Sequence, residues 1–266
     1  MSVQEKIDKI KNAKADIASA IAEKGVEVPA NAMLDDMADL IRLIKAGSSV
    51  SDEIILTMAS VDPTVFVVSG GTVSFNYLPN TSLIVWGDGT MDEYDPSTTS
   101  GNVTHTYAAT GIYTVKIYGA TTIPQYFGII FDNGIPSSFP TWLLEAKIGD
   151  TVTTIEMQAF GSCSKLYKFE FGAGVTSLAG EGIFQSCSML TEISIPNVIT
   201  GIGSIGAGSS LKRVYFSNQT PPQQYFTSNN PFGGGYAIVP EEYATSYKNK
   251  WHIPYIAYYN KTIMTV

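Results

Sequence analysis

Residues 159–195 read AFGSCSKLYKFEFGAGVTSLAGEGIFQSCSMLTEISI, and one pattern occurs twice within them. Ala159-Phe160-x-x-Cys163-x-x-Leu166-x-x-Phe169-x-Phe171 is followed by Ile183-Phe184-x-x-Cys187-x-x-Leu190-x-x-Ile193-x-Ile195. Working outward, Leu143-x-x-Ala146-x-Ile148 precedes the pair on the same strand template, and Leu211-x-x-Val214-x-Phe216 follows it. Ile148-x6-Ile155, Val175-x-x-Leu178 and Ile199-x-x-Ile202 fill the intervals. The strand cores recur 23, 24 and 21 residues apart, which suits a solenoid coil contributing one short strand per turn.

The combination Ala-Phe-x-x-Cys-x-x-Leu, together with Ile195-Pro196, resembles the BspA-type leucine-rich repeat family. Thr220-Pro221-Pro222, Val239-Pro240-Glu241-Glu242-Tyr243 and Tyr247-Lys248…Trp251 resemble that family's terminal cap. The resemblance implies a leucine-rich-repeat domain with a C-terminal cap over 120–266. The third coil departs from the pattern, with Gly and Ser residues where Ala-Phe and Cys stand in the others.

Upstream the period changes. From Ile54, residues such as Val65, Val67, Val73, Phe75 and Tyr77 alternate as strand residues do, with turn signals such as Ser69-Gly70-Gly71 between them. Val85-Trp86-Gly87-Asp88-Gly89-Thr90 is followed by His105-Thr106-Tyr107 and by Gly111-Ile112-Tyr113-Thr114-Val115. Gly-Asp-Gly supplies a tight turn with positive φ, and Tyr113, Val115 and Ile117 alternate onto one face. These residues resemble the PKD family of small immunoglobulin-like β-sandwiches, which implies such a domain over 48–119. Ile84-Val85 stand where that family usually has Trp-Asp.

Residues 1–47 carry a helical period instead. Val3, Ile7, Ile10, Ile17 and Ile21 share one face, Gly25 ends it, and Met33, Leu34, Met37, Leu40, Ile41 and Ile44 form a second stripe. The spacing predicts a helical hairpin broken at about 25–31, joined to the rest by the linker Lys45–Glu53. Neither helix is long enough to stand alone, so the stripes pack on a neighbour or assemble a homo-oligomer. This start resembles the leading segments of some phage structural proteins. The fold class expected is therefore multidomain and mainly β: helical hairpin, PKD-like β-sandwich, then leucine-rich-repeat solenoid.

Composition excludes several functions. The net charge is −8, and only Arg42 and Arg213 supply guanidinium groups, so nothing neutralises phosphates in clusters. Nucleic acid and anionic membranes are not expected partners. No apolar run of about 18 residues suggests membrane insertion, and the N-terminus lacks the apolar core of a signal peptide. Export without a cleaved signal, or a signal outside this sequence, is the expectation.

Chemistry-bearing residues are few. Cys163 and Cys187 share a repeat position, so both point inward on adjacent coils as small hydrophobes; a zinc site lacks further ligands. His105 belongs to the strand motif and His252 to the cap, and neither stands at a recognisable spacing from a nucleophile and carboxylate. Gly201-Ile-Gly203-Ser-Ile-Gly206 matches the dinucleotide fingerprint but lies inside a coil instead of a strand–turn–helix unit. The acidic stretch Asp88, Asp92, Glu93 and Asp95 offers oxygen ligands for a calcium ion, with Asp88, Asp92 and Asp95 as the candidates and a solvated turn as the alternative. No cofactor is implied.

The solenoid's outward strand positions are the candidate binding surface. On the strand template they are Leu144, Glu145 and Lys147; Tyr167, Lys168 and Glu170; Thr191, Glu192 and Ser194; and Lys212, Arg213 and Tyr215. The middle column, Glu145, Lys168, Glu192 and Arg213, alternates in sign and neutralises itself. Tyr167 and Tyr215 are the contact candidates, with Lys168 and Arg213 beside them. The expected function is non-catalytic adhesion or binding at a cell or virion surface, to a host or bacterial surface protein or glycan. The alternatives are a phage tail or fibre spacer without its own ligand and, less favoured, a carbohydrate-active enzyme, for which no convincing carboxylate pair exists.

Overall fold

The computed structural model describes residues 62–97, 101–132, 135–178, 180–206, 208–226, 231–252 and 256–259. The helical pair expected over 1–47 and the linker at 45–53 lie outside these residues. The upstream unit contains β1 (Thr64–Ser69), β2 (Thr72–Asn76), β3 (Leu83–Val85), β4 (Met91–Glu93), β5 (Asn102–Thr106) and β6 (Ile112–Tyr118). β1 alternates Phe66 and Val68 inward with half-buried Val65 and Val67 outward, as its apolar sequence with period two dictates. β1, β6, β3 and β4 form an antiparallel sheet, while β2 and β5 pair as a separate two-stranded ribbon. Val73 and Phe75 from the ribbon join Phe66, Trp86, Val115 and Ile117 from the sheet in one core. Gly87 and Gly89 adopt φ of 83° and 95°, so the Gly-Asp-Gly turn has the backbone its sequence anticipates.

Downstream the chain winds into coils. Each carries a strand on one face and a two-residue strand on another. The next elements are β7 (Thr122–Ile123), a hairpin of β8 (Ile130–Asp132) and β9 (Ile135–Ser138), β10 (Leu143–Lys147), β11 (Thr154–Ile155) and β12 (Lys168–Glu170). Then follow β13 (Ser177–Leu178), β14 (Glu192–Ile195), β15 (Gly201–Ile202), β16 (Arg213–Phe216), β17 (Gln223–Gln224) and β18 (Tyr236–Pro240). On the main face β10 pairs parallel with β12, and β14 with β16 and β18 in succession. A second face stacks β7 with β11, and β13 with β15 and β17. A third ladder fixes the stacking: Phe127 N–H donates to Ala159 O at 3.0 Å, Phe160 to Ile183 at 2.9 Å, Phe184 to Ile205 at 2.9 Å and Gly206 to Pro231 at 3.0 Å. Leu, Ile, Val and Phe at the repeat positions fill the interior, and Phe160 stacks on Phe184 with centroids 6.0 Å apart.

The two units share a sheet. β1 pairs antiparallel with β6 on one edge and with β10 on the other, giving the order β12-β10-β1-β6-β3-β4. The junction is sealed elsewhere too. Asn76 N–H and Nδ2 donate to Phe127 O and Tyr126 O, Thr121 N–H donates to Pro79 O, and Gly149 N–H donates to Thr64 Oγ1. Phe127, from the first coil, lies 5.0 Å from both Phe66 and Phe75, so the upstream core and the solenoid core are continuous.

At the far end, a 3-10 turn (Glu241–Tyr243) and helix α1 (Ala244–Trp251) precede β19 (Ile256–Tyr259), which pairs with β18. Trp251 is buried against Phe216, Phe226, Phe232 and Tyr247. Its indole N–H donates to Pro222 O at 3.1 Å, Lys250 Nζ to Pro221 O at 2.9 Å and Tyr247 O–H to Asn218 O at 3.2 Å. The Pro-Pro pair therefore presents carbonyls to the cap, and His252 at φ 53° ends the helix.

Phe66→Ala removes a ring that belongs to both cores, at a cost of about 3–5 kcal/mol. Urea denaturation followed by tryptophan fluorescence should show one transition at a lower midpoint. Two resolved transitions would mean that the units unfold independently.

Candidate functional site

The coil strands expose their outward residues because successive side chains of a strand alternate in direction. Glu145 stands opposite Lys168 and Lys147 opposite Glu170; Glu192 stands opposite Arg213 and Ser194 opposite Tyr215. The charged column forms as two separate pairs instead of one continuous ladder. Lys168 Nζ lies 3.7 Å from Glu145 and 2.8 Å from Glu170, and Arg213 donates twice to Glu192 Oε2, at 2.6 and 3.0 Å. No strand pairing joins β12 to β14, and Lys168 turns along its own strand to Glu170. The hydrogen bond to Glu170 raises the pKa of Lys168 above the usual lysine value, and that to Glu192 does the same for Arg213. Both pairs are exposed and screened by solvent, so they add little to stability.

A shallow groove of about 550 Å³ follows this face, with Tyr167, Lys168, Glu192 and Tyr215 among its walls. Three of the four expected contact residues thus meet at one surface; Arg213 stands beside it, tied to Glu192. Tyr167 is 47% exposed and its hydroxyl donates to Glu145 Oε1, which raises the phenol's pKa. The outward column continues one strand beyond the four expected from the sequence. Tyr236 pairs in register with Arg213 and extends the middle column, 49% exposed. Its signal was the alternation Tyr236-Ala237-Ile238-Val239, placed 23 residues after Arg213 but masked by Gly233–Gly235 and the adjoining cap motif.

The candidate acidic residues are engaged separately. Asp88 Oδ1 accepts from Thr90 N–H and Oγ1 at 3.0 and 2.6 Å, while its Oδ2 meets His105 Nε2 at 2.8 Å. Asp92 Oδ2 accepts from the Trp86 indole at 2.8 Å, and Asp95 Oδ1 from Ser97 N–H at 2.8 Å. Among the described residues no three His, Cys, Asp or Glu side chains converge as a metal ion requires. His105 stacks on Trp86 with centroids 4.5 Å apart, and the Tyr107 hydroxyl donates to Trp86 O. Burial alone would raise the Asp88 pKa, but the bonds from Thr90 and His105 outweigh it and hold the carboxyl below the usual value.

Cys163 and Cys187 are both fully buried and unpaired, on neighbouring coils. The Cys187 thiol donates to Phe160 O at 3.1 Å. Burial, then the contact with Cys187, pushes the Cys163 thiol well above its ordinary value, so it stays protonated. The Gly201–Gly206 stretch forms β15 and a coil turn. Gly201 is small because a Cβ would lie 2.5 Å from the Tyr225 ring.

Residues 139–230 match the family model of the BspA type leucine rich repeat region, in six copies. Over these residues the stacked coils are similar to leucine-rich repeats, a type that generally serves as a non-catalytic binding surface. No curated protein matches the chain. Among the described residues no helix is long and apolar enough to cross a membrane.

Asp88→Asn should cost about 1 kcal/mol at neutral pH through weakened charge-assisted hydrogen bonds. Because the folded value is depressed, the wild type's margin is present above the ordinary carboxyl pKa of 3.8 and lost as pH falls through the lower folded value. Urea midpoints of both proteins between pH 3 and 7 measure it. Separately, a thiol reagent should label neither Cys163 nor Cys187 in the native protein and both after guanidinium unfolding; labelling without denaturant would contradict their burial.

Proposed function

We propose that this chain is a modular, non-catalytic binding protein that presents the main solenoid face to a surface protein or glycan, at a cell surface or on a virion. The observation that carries the reading is the groove on that face, where Tyr167 and Tyr215 flank self-paired charges. Tyrosine offers large amphipathic contact area at low entropic cost, whereas the charges on this face are already neutralised by neighbours. Tyr167, Lys168 and Tyr215 are the proposed contacts, with Arg213 at the margin. The upstream unit serves in this reading as a PKD-like, immunoglobulin-like support. Its aromatic-Gly-Asp-Gly-Thr turn, stacked His105 and two-layered core favour that kinship. A second reading is a phage tail or fibre spacer. The sheet shared between the two units favours it, because a rigid junction suits a strut.

Binding of the full chain to mucin, immobilised glycans and cell surfaces tests the proposal. The Tyr167→Ala/Tyr215→Ala double variant should weaken any binding at least tenfold, about 1.4 kcal/mol, with an unchanged melting temperature. Unaltered binding would remove the sheet groove as the site. No binding by the wild type to any of these surfaces would favour the spacer.

A further inference from the structure

A second groove, of about 490 Å³, is lined by residues that follow β14 and β16 and by residues of the cap. Its walls include Asn197, Thr200, Asn218, Gln223, Tyr243 and Lys250. The chemistry differs from that of the sheet. Among the described residues no carboxylate lines it, and the one charged side chain that does, Lys250, is already donating to Pro221 O at 2.9 Å. A cation finds no counter-charge there, and one engaged ammonium is a poor anchor for a phosphate or a sialic acid. What remains is a set of amides and hydroxyls, groups that both donate and accept hydrogen bonds.

Two further features point to a ligand. Asn218 is 7% exposed; its Nδ2 donates to Asn197 O and Ile199 O at 3.0 and 2.9 Å. Its Oδ1, beside the groove, is buried with no hydrogen-bond partner. A buried acceptor left unpaired costs about 1–3 kcal/mol, which a ligand hydroxyl would recover. Next to the groove-lining Thr200, Gly201 has no side chain, and the Tyr225 ring lies in the space a Cβ would occupy. Tyr225 is nonetheless 54% exposed, which leaves an apolar ring surface open to solvent beside the polar groove.

We propose that this groove is a binding site for a neutral oligosaccharide. Sugar hydroxyls donate to Thr200 Oγ1, whose own proton goes to Thr176 O, and to Asn218 Oδ1; they both donate to and accept from the Gln223 amide, and the apolar C–H face of a pyranose packs on the Tyr225 ring beside the groove. The volume lies within the roughly 300–1,000 Å³ of small-ligand sites, whereas a stable protein partner needs about 800 Å² from each side. The groove adjoins the sheet groove at Ser217, which lines both, and the proposal does not depend on the sheet groove being functional.

The test is an array carrying neutral, sialylated and sulfated oligosaccharides, probed with the full chain and with two variants, Gln223→Ala in the groove wall and Tyr225→Ala beside it. Neutral glycans should bind, and each variant should weaken them at least tenfold while Tyr167→Ala/Tyr215→Ala leaves them unchanged. Gln223 is exposed, so its variant keeps the fold, and melting temperatures verify this for both. Binding confined to sialylated or sulfated glycans, no binding to neutral ones, or neutral binding indifferent to both Gln223→Ala and Tyr225→Ala would each overturn the proposal. Loss in the sheet double variant alone would assign the glycan to the sheet groove instead.

Discussion

Strand β1 is hydrogen-bonded along both edges, to β6 from its own unit and to β10 from the first coils, and much else follows from this double pairing. A solenoid of parallel strands ends in a row of unpaired N–H and C=O groups, and below it in an open apolar interior. Either would invite aggregation. Here β1 satisfies the backbone groups, while Phe66 and Phe75 cover the interior by packing on Phe127. The opposite end uses other means: α1 closes the core with Trp251, and its hydrogen bonds reach back to the Pro221 and Pro222 carbonyls. The repeats are thus held between two unlike stoppers, β1 at one end and α1 with β19 at the other.

The repeat was legible because each coil must bury the same positions. Phe160 and Phe184, Cys163 and Cys187, and Leu166 and Leu190 recur in sequence because they stack in space. The outward positions were legible for the same reason, since alternation along a strand assigns the faces without tertiary information. Less could be read where contacts depend on distant segments. Nothing in Thr64–Ser69 announces that its second edge belongs to Leu143–Lys147, because the alternation of an edge strand and of a central one look alike. The coil that begins at Thr122 was obscured by the β8–β9 hairpin, which separates Phe127 from the strand Leu143–Lys147. Pair formation within the charged column was visible as alternating sign, yet Lys168's choice of Glu170 over Glu192 depends on geometry between β12 and β14.

The polar residues of the molecule divide into those that serve its own fold and those that face outward with capacity to spare. Asp88, Asp92 and His105 belong to the first group, each bound to a partner within the Trp86 turn. Of the acidic residues that stand out in the sequence, Asp88 and Asp92 thus brace the Trp86 turn. The amide-rich groove beside the cap has the contrary character: unremarkable as sequence, it gathers residues from two coils and the helix that only folding brings together.

The junction through β1 also bears on mechanics. Antiparallel strands pulled from opposite ends along their axis resist in shear, with every cross-strand hydrogen bond loaded at once; strands pulled apart from one end unzip bond by bond. Val65, near the entry of β1, stands opposite Lys147 and Val68, near its exit, opposite Leu143, so tension between the start of β1 and the start of β10 loads that ladder in shear. Tension between the start of β1 and the coils that continue from Lys147 instead loads the ladder from one end, bond by bond.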